Sequence, residues 1–327
     1  MLLYFNDVRE DNVIYSIDKI VLTGKFKSGH IVQSKDNVVV SGLEMYDPNL
    51  NYVPGATGEV VSVKRNVVEP FCQLFLDKLS SCTLPFESYF NTSPKPGFYR
   101  HNFKFLCSDT DSFWIGIGLS IAGKQYPDSW KIEFNPNKCG HSVALSFILS
   151  LLREYSSDFS LKDWDIAIDY PVLRENCFLV KDSRCYRLHM NSVSDKTEYL
   201  GSRHVQGYTK LYNKQRESKL NYPLTRLELT MEGLCSVDDI ESALPTVYCL
   251  KDLQMTFDDF YFNSVDRVLV WSILREPSLL SDLPYKTHKK IECALEQHTL
   301  QLGTDKKSLL YIVKQIEQWR QMIVPQK

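Results

Sequence analysis

The sequence predicts an α+β fold, mainly antiparallel sheet with flanking helices and a helical C-terminal region. Three observations carry this. Short β-branched segments bounded by turn residues recur through the first two thirds of the chain. They do not alternate with helical patterns in the regular way a parallel sheet requires. After Gly233 the apolar spacing becomes mostly helical.

In chain order, Lys19–Gly24, Asn37–Ser41 and Glu59–Lys64 read as strands, and Pro94–Gly97 as a turn. Phe113–Gly118 and Trp130–Phe134 read as a strand pair, with the turn at Tyr126-Pro127-Asp128 and a break at Asn135-Pro136-Asn137. From Ser142 to Glu154, Val143, Leu145, Phe147, Ile148, Leu151 and Leu152 fit an amphipathic helix capped by Ser142. Strands resume at Trp164–Asp169, Thr197–Leu200, Tyr208–Tyr212 and Leu224–Thr230. The last helix, Ser308 to Met322, gathers Leu309, Ile312, Val313, Ile316 and Trp319 on one side. Three regions follow: a β-rich part over 1–108, a core over 109–235 and a helical region over 236–327.

The chain has 327 residues, 43% of them hydrophobic and 24% charged, with a formal net charge of −2. That is enough apolar material for a sizeable core, and it excludes a disordered or collagen-like chain. It also excludes a broadly basic nucleic-acid binder, so any phosphate-binding surface must be local. The nine cysteines show no CxxC pair and no zinc spacing, which suits reduced thiols. The apolar Met1–Phe5 is cut short by Asp7, Arg9 and Glu10, too early for a signal peptide. No apolar run approaches the roughly 20 residues of a membrane span. The expectation is a soluble, cytoplasmic protein with no membrane contact.

Gly118-Leu-Ser-Ile-Ala-Gly123-Lys124 matches GxxxxGK, but Gln125 stands where a phosphate loop needs Ser or Thr, and no helix follows. It reads as a turn. No two histidines are spaced as a metal pair, so a catalytic metal would need carboxylates, which suits magnesium or manganese.

Chemistry concentrates between residues 163 and 232. In a strand, alternate residues share a face. Asp163, Asp165, Ala167 and Asp169 then lie on one side, with Trp164, Ile166, Ile168 and Tyr170 on the other. Carboxylates on one face repel unless cations neutralise them; a solvated face and a metal site both fit. Arg226, Glu228 and Thr230 likewise oppose Leu227 and Leu229. Between these segments, residues 203–226 hold six basic side chains against Glu217, a local charge of +5. On a strand Tyr208, Lys210, Tyr212 and Lys214 would project together. Basic residues interleaved with aromatics can track a phosphate backbone and stack bases; an exposed hairpin fits as well. A phenol ionises near pH 10, and nearby cations or a metal favour the phenolate nucleophile.

At these residues the chain resembles the Rep_trans rolling-circle plasmid replication initiators. The matching pieces are Asp165-Ile-Ala-Ile-Asp169, Tyr199-Leu-Gly-Ser-Arg203, Lys210-Leu-Tyr-Asn-Lys-Gln-Arg-Glu217 and Thr225-Arg-Leu-Glu-Leu-Thr230, in the family's order and spacing, with Ile132-Glu-Phe-Asn-Pro-Asn-Lys138 upstream. The resemblance covers roughly residues 110 to 235. It makes 109–235 the catalytic core, 1–108 the β-rich part of the initiator fold and 236–327 a candidate DNA-recognition element.

The resemblance implies an origin-specific, metal-dependent DNA nicking and closing enzyme. Its tyrosine stays linked to a 5′ phosphate and frees a 3′ hydroxyl for rolling-circle synthesis. The family's Tyr-Asn/Asp-Lys element carries that role onto Tyr212, with Tyr208 and Tyr199 as fallbacks. Asp165, Asp169 and Glu228 become ligands of a Mg2+ or Mn2+ ion. Arg203, Lys210, Lys214, Arg216 and Arg226 become DNA-binding residues. Double-stranded origin DNA, a host helicase and a second copy of the chain are the implied partners, with the lysines at 286–290 and 306–314 as candidate origin readers. The alternatives are a non-catalytic DNA-binding regulator on the same fold and a protein-interaction domain.

Overall fold

The computed structural model describes residues 7–10, 12–26, 98–108, 111–121, 124–192, 194–250 and 264–323, and the backbone of strands at 31–32, 45–46, 71–72 and 86–90. The expected strands at 37–41 and 59–64 and the turn at 94–97 lie outside these residues.

The strands of the first half are β1 (Val8–Glu10), β2 (Val13–Phe26), β3 (Ile31–Val32), β4 (Met45–Tyr46), β5 (Phe71–Cys72), β6 (Phe86–Phe90), β7 (Tyr99–Leu106), β8 (Ser112–Ile121) and β9 (Lys124–Phe134). Helices α1 (Pro136–Cys139) and α2 (Val143–Tyr155) follow, then β10 (Ser156–Tyr170), β11 (Cys177–Leu179), β12 (Tyr186–Met190), β13 (Lys196–Leu200) and β14 (Thr209–Asn213). The remainder is α3 (Lys214–Glu217), β15 (Thr225–Glu232), α4 (Val237–Ala243), β16 (Val247–Leu250), α5 (Ser264–Arg275), α6 (Tyr285–His298), β17 (Thr299–Gln301) and α7 (Lys306–Ile323). This is the expected α+β class. The C-terminal region is not purely helical, because β16 and β17 join β11 in a small antiparallel sheet.

The chain divides into two compact units. One comprises residues 1–5, 18–164 and 315–327, the other 6–17 and 165–314. In the first, the sheet runs β2-β9-β8-β7-β6-β4, antiparallel except where β4 meets β6. Strands β8 and β9 form the expected hairpin, but Ile121 faces Lys124, so Tyr126-Pro127-Asp128 lies within β9 and is not the turn. Gly118 takes φ +75° at a bulge in this pair, a conformation side chains resist. The Leu119 N–H there donates to Ser129 Oγ at 2.9 Å. Ser142 caps α2 as expected, accepting from the Leu145 N–H at 3.3 Å. Its apolar side, Leu145, Ile148, Leu149 and Leu152 among them, is buried.

In the second unit the sheet order is β12-β13-β14-β15-β10. Leu211, Leu227, Leu229, Ile166 and Ile168 are all fully or almost fully buried. That is the apolar alternation expected of half-polar strands. A second apolar cluster joins Phe178 and Leu250 to Val270, Ile273 and Leu274 of α5 and Ile291 of α6.

Candidate active site

The site is built on the polar side of β14, β15 and the 165–169 stretch of β10. Burial of Leu227 and Leu229 forces Arg226, Glu228 and Thr230 to the other side of β15. There the Arg226 fork donates to Asp169, Nε to Oδ1 at 2.6 Å and Nη2 to Oδ2 at 2.7 Å. Thr230 Oγ1 donates to Asp165 Oδ1 at 2.7 Å. On β14, Lys210 stands opposite Glu228 and Tyr212 opposite Arg226. Lys210 Nζ meets Glu228 Oε2 at 2.5 Å, and the Tyr212 hydroxyl donates to Glu228 Oε1 at 2.6 Å. One carboxylate thus holds the phenol and an ammonium group, one on each oxygen.

The electrostatics correct one expectation. Neighbouring cations do not depress the phenol's pKa. Burial, then the charge of Glu228, push it well above the usual tyrosine value, against the pull of Arg226. Burial works against the Lys210 charge, but Glu228 outweighs it and raises the ammonium pKa. Asp7, just before β1, senses the same face. Partial burial lifts its carboxyl; Arg9 opposes this, Asp169 adds to it, and Arg226 opposes it. No sequence pattern pointed to Asp7, since its place depends on pairing between distant segments.

Lys214 does not project from the strand beside Tyr212. Asn213 accepts from the Arg216 N–H at 2.8 Å and starts α3, so Lys214 sits in a helical turn. Lys214 Nζ meets Glu217 Oε2 at 2.5 Å, and the Tyr212 hydroxyl approaches the same oxygen at 3.3 Å. Glu217 was legible only as the lone acid of a basic segment; it is a second carboxylate at the phenol. Arg216 pairs with Asp195 at 2.9 Å and is exposed. Arg203 is exposed on the turn after β13, where Gly201 and Gly207 both take φ +81°. The rings of Tyr199 and Tyr208 stack at 6.2 Å, with Arg187 over Tyr199 at 5.7 Å. Of the C-terminal lysines, Lys290 pairs with Asp266, Lys289 with Glu292, and Lys306 with Asp238 and Glu241 at 2.8 and 2.9 Å.

The structure therefore brings Tyr212, Lys210 and Glu228 together. It ties Asp169 to Arg226 and Asp165 to Thr230, as separate pairs. Among the described residues no group of three or more His, Cys, Asp or Glu is arranged to hold a metal ion. Both Glu228 oxygens and both Asp169 oxygens accept hydrogen bonds, from Tyr212 and Lys210 and from Arg226.

The reverse side of the same strands carries a second cluster. Arg174 Nη2 meets Glu198 Oε2 at 2.5 Å and the Leu211 carbonyl at 3.1 Å. Tyr186 donates to Glu198 Oε1 at 2.8 Å, and Arg275 Nε lies 3.6 Å from that oxygen. Lys196 Nζ sits over the rings of Phe178 and Trp271, at 4.8 and 5.2 Å from their centroids. Burial, and then Arg174, pull its pKa down to about 7. The signal in the sequence was the alternation itself: Lys196 and Glu198 share their side of β13 with the apolar Leu200.

No protein-family model matches the chain. Two Staphylococcus aureus proteins, each named replication initiation protein, are 24% identical over 211 residues and 25% identical over 215 residues. Each match takes in 59% of this chain; it spans 66% of the first relative, just short of two thirds, and 67% of the other. A solved structure, a rolling circle replication initiator protein from Geobacillus stearothermophilus, aligns over 94% of this chain and 97% of that one, at 12% identity and a TM-score of 0.32. In sequence, this chain is a relative of proteins named for replication initiation.

Proposed function

We propose that this chain is a replication initiator that nicks and rejoins origin DNA through Tyr212, for rolling-circle replication of a plasmid or mobile element. One observation carries the reading. In the segment that resembles the Rep_trans initiators, the only tyrosine of the Tyr-Asn-Lys element donates its hydroxyl proton to a carboxylate flanked by an ammonium group.

The chemistry follows from the raised phenol pKa. A phenolate does not pre-form; Glu228 Oε1 takes the proton as the phenol oxygen closes on phosphorus. General-base help of this kind is worth about 10²–10⁴-fold. The P–O bond to the 3′ oxygen breaks, leaving the 5′ phosphate on Tyr212 and a 3′ alkoxide that takes a proton from water to become the free hydroxyl. Lys210, held charged by Glu228, lies beside the phosphate and offsets the charge that develops on its oxygens. Arg203 and Arg216, exposed at the ends of β13 and β14, extend the contact to the DNA backbone. Asp165, Asp169 and Glu228 would hold a magnesium or manganese ion, which would add charge neutralisation at the phosphate. Double-stranded origin DNA, a host helicase and a second copy of the chain complete the reading.

The ties of Asp169 to Arg226 and of Asp165 to Thr230 favour the competing reading, a DNA-binding regulator. Supercoiled DNA of the replicon that carries this gene separates the two when incubated with the chain and manganese. Relaxation with protein-linked DNA supports the nickase. A salt-sensitive mobility shift without a nick supports the regulator and overturns the proposal.

A further inference from the structure

The sheet of the second unit ends on β12, and among the described residues no strand pairs with its outer edge. At the far end of the strand order β4 has only two residues, and β17, at the edge of the small sheet, has three. Edges that short give another chain little to pair with. β12 is five residues long, Tyr-Arg-Leu-His-Met, and carries neither the proline nor the lysine that commonly blunts an edge.

The phase of its backbone is fixed at both ends. The Gly201 N–H donates to the Cys185 carbonyl at 3.0 Å, and the Asn191 N–H to the Asp195 carbonyl at 3.1 Å. In an antiparallel pair, residues bonded to the neighbour alternate with residues whose N–H and C=O point away. Arg187 and His189 therefore bond to Tyr199 and Thr197 of β13, while Tyr186, Leu188 and Met190 turn their N–H and C=O outward. The side chains of those three share one side of the strand. There Leu188 is 45% and Met190 55% exposed.

We propose that β12 pairs with β12 of a second copy of the chain, antiparallel about a two-fold axis at Leu188, so that the two sheets become one. The pairing rests on the proposed function for its second copy, to which it gives a surface. The strand is complementary to itself. Its outward-turned residues are centred on Leu188, so a two-fold there sets outward residue against outward residue along the whole strand. Leu188 falls opposite its own copy and Tyr186 opposite Met190, each pair exchanging two backbone hydrogen bonds. An apolar pair then sits at the centre, with a sulfur–aromatic pair on either flank. On the other side Arg187 falls opposite His189, so arginine never meets arginine. A slip of one residue would set every outward group against one already bonded to β13.

That two-fold stands perpendicular to the sheet, so both polar sides face the same way. Tyr212 lies on β14, two strands in from β12. It and its copy would share one continuous surface, separated by five strand spacings, about 24 Å.

The test is sedimentation equilibrium of the full chain, with hydrogen exchange read along β12. The wild-type chain should approach twice its mass as concentration rises, at high salt as at low, because backbone bonds and apolar contact hold the edge. The amides of Leu188 and Met190 should become protected over the same concentrations, a reading that needs no variant to fold. Leu188→Pro removes an outward N–H and leaves the bonds to β13 in place, since an edge strand tolerates proline there. Met190→Lys puts a charge on the edge. Both should sediment as one chain with a urea midpoint close to that of the wild type. A wild-type chain that stays at the mass of one copy, a dimer that survives either substitution, or a dimer whose β12 amides exchange freely would overturn the proposal. Relaxation of supercoiled DNA by the same samples is a separate readout. A wild-type chain that nicks but never dimerises overturns the edge pairing and spares the nickase; one that dimerises through β12 without nicking does the reverse.

Discussion

On the polar side of β14 and β15, Glu228 holds Tyr212 and Lys210 at 2.6 and 2.5 Å, and the Lys210 side chain keeps 31% of its surface in solvent. On the reverse side of the same strand set, Glu198 holds Arg174 at 2.5 Å with both side chains 0% exposed. Each cluster is a carboxylate bridged between a phenol and a cation. Burial separates their uses. A fully enclosed ion pair cannot release one partner without stranding a charge, which costs about 3–5 kcal/mol. In the half-open pair the Lys210 ammonium, 31% exposed, can reach out to a phosphate while the Glu228 carboxylate, only 7% exposed, keeps the Tyr212 hydroxyl as its partner. The first geometry suits an active site and the second a structural clamp that holds β13 and β14 through the Leu211 carbonyl, next to Tyr212.

That comparison can be broken at either end. Tyr212→Phe has the largest expected effect: covalent attachment to DNA should vanish while mobility-shift binding stays nearly intact, since one hydroxyl is lost. Glu228→Gln keeps the acceptor but removes the base, and nicking should fall by about 10²–10⁴-fold with little change in the urea midpoint. Glu198→Ala should do the reverse. It leaves Arg174, Arg275 and Lys196 around an empty acceptor, and urea unfolding should show a loss of about 3–5 kcal/mol. If Glu198→Ala spares stability and abolishes nicking, the two sides have been assigned the wrong way round.

A gentler probe is the Lys196 amine. Its folded value of about 7 lies below the ordinary lysine value of 10.5. Between those values the unfolded state binds the extra proton, so its contribution to stability grows as pH rises from 7 to 10. Below pH 7 both states carry the charge and the burial penalty is present in full. Lys196→Met should therefore flatten the pH dependence of urea unfolding over pH 7–10 relative to the wild-type chain. An unchanged slope would place that amine in water. Smallest of all, Lys306→Ala removes an exposed bridge to Asp238 and Glu241, and should leave the urea midpoint almost unchanged.

The sequence exposed what depends on local periodicity. Alternation in 163–169 and 224–230 put the acids and Arg226 on one side, because burying Ile166, Ile168, Leu227 and Leu229 leaves no other choice. The Ser142 cap and the apolar side of α7 were equally legible. What depends on register between distant segments was not. Charge counting around Tyr212 suggested an activated phenolate, but counting cannot say that Glu228 is the group that faces it. The pairing of Arg174 with Glu198, and the arrival of Asp7, join residues far apart in the chain. The Lys214 error was local and avoidable, since Asn213 followed by Lys-Gln-Arg-Glu is a helix start.

The most direct test of the central claim is to map the DNA-linked residue. The full chain would be trapped on nicked DNA of its own replicon, digested with protease and nuclease, and the nucleotide-bearing peptide sequenced by mass spectrometry. The account predicts a 5′-phosphate adduct on Tyr212. An adduct on Tyr208 or Tyr199, or nicked DNA with no tyrosine adduct at all, would contradict it.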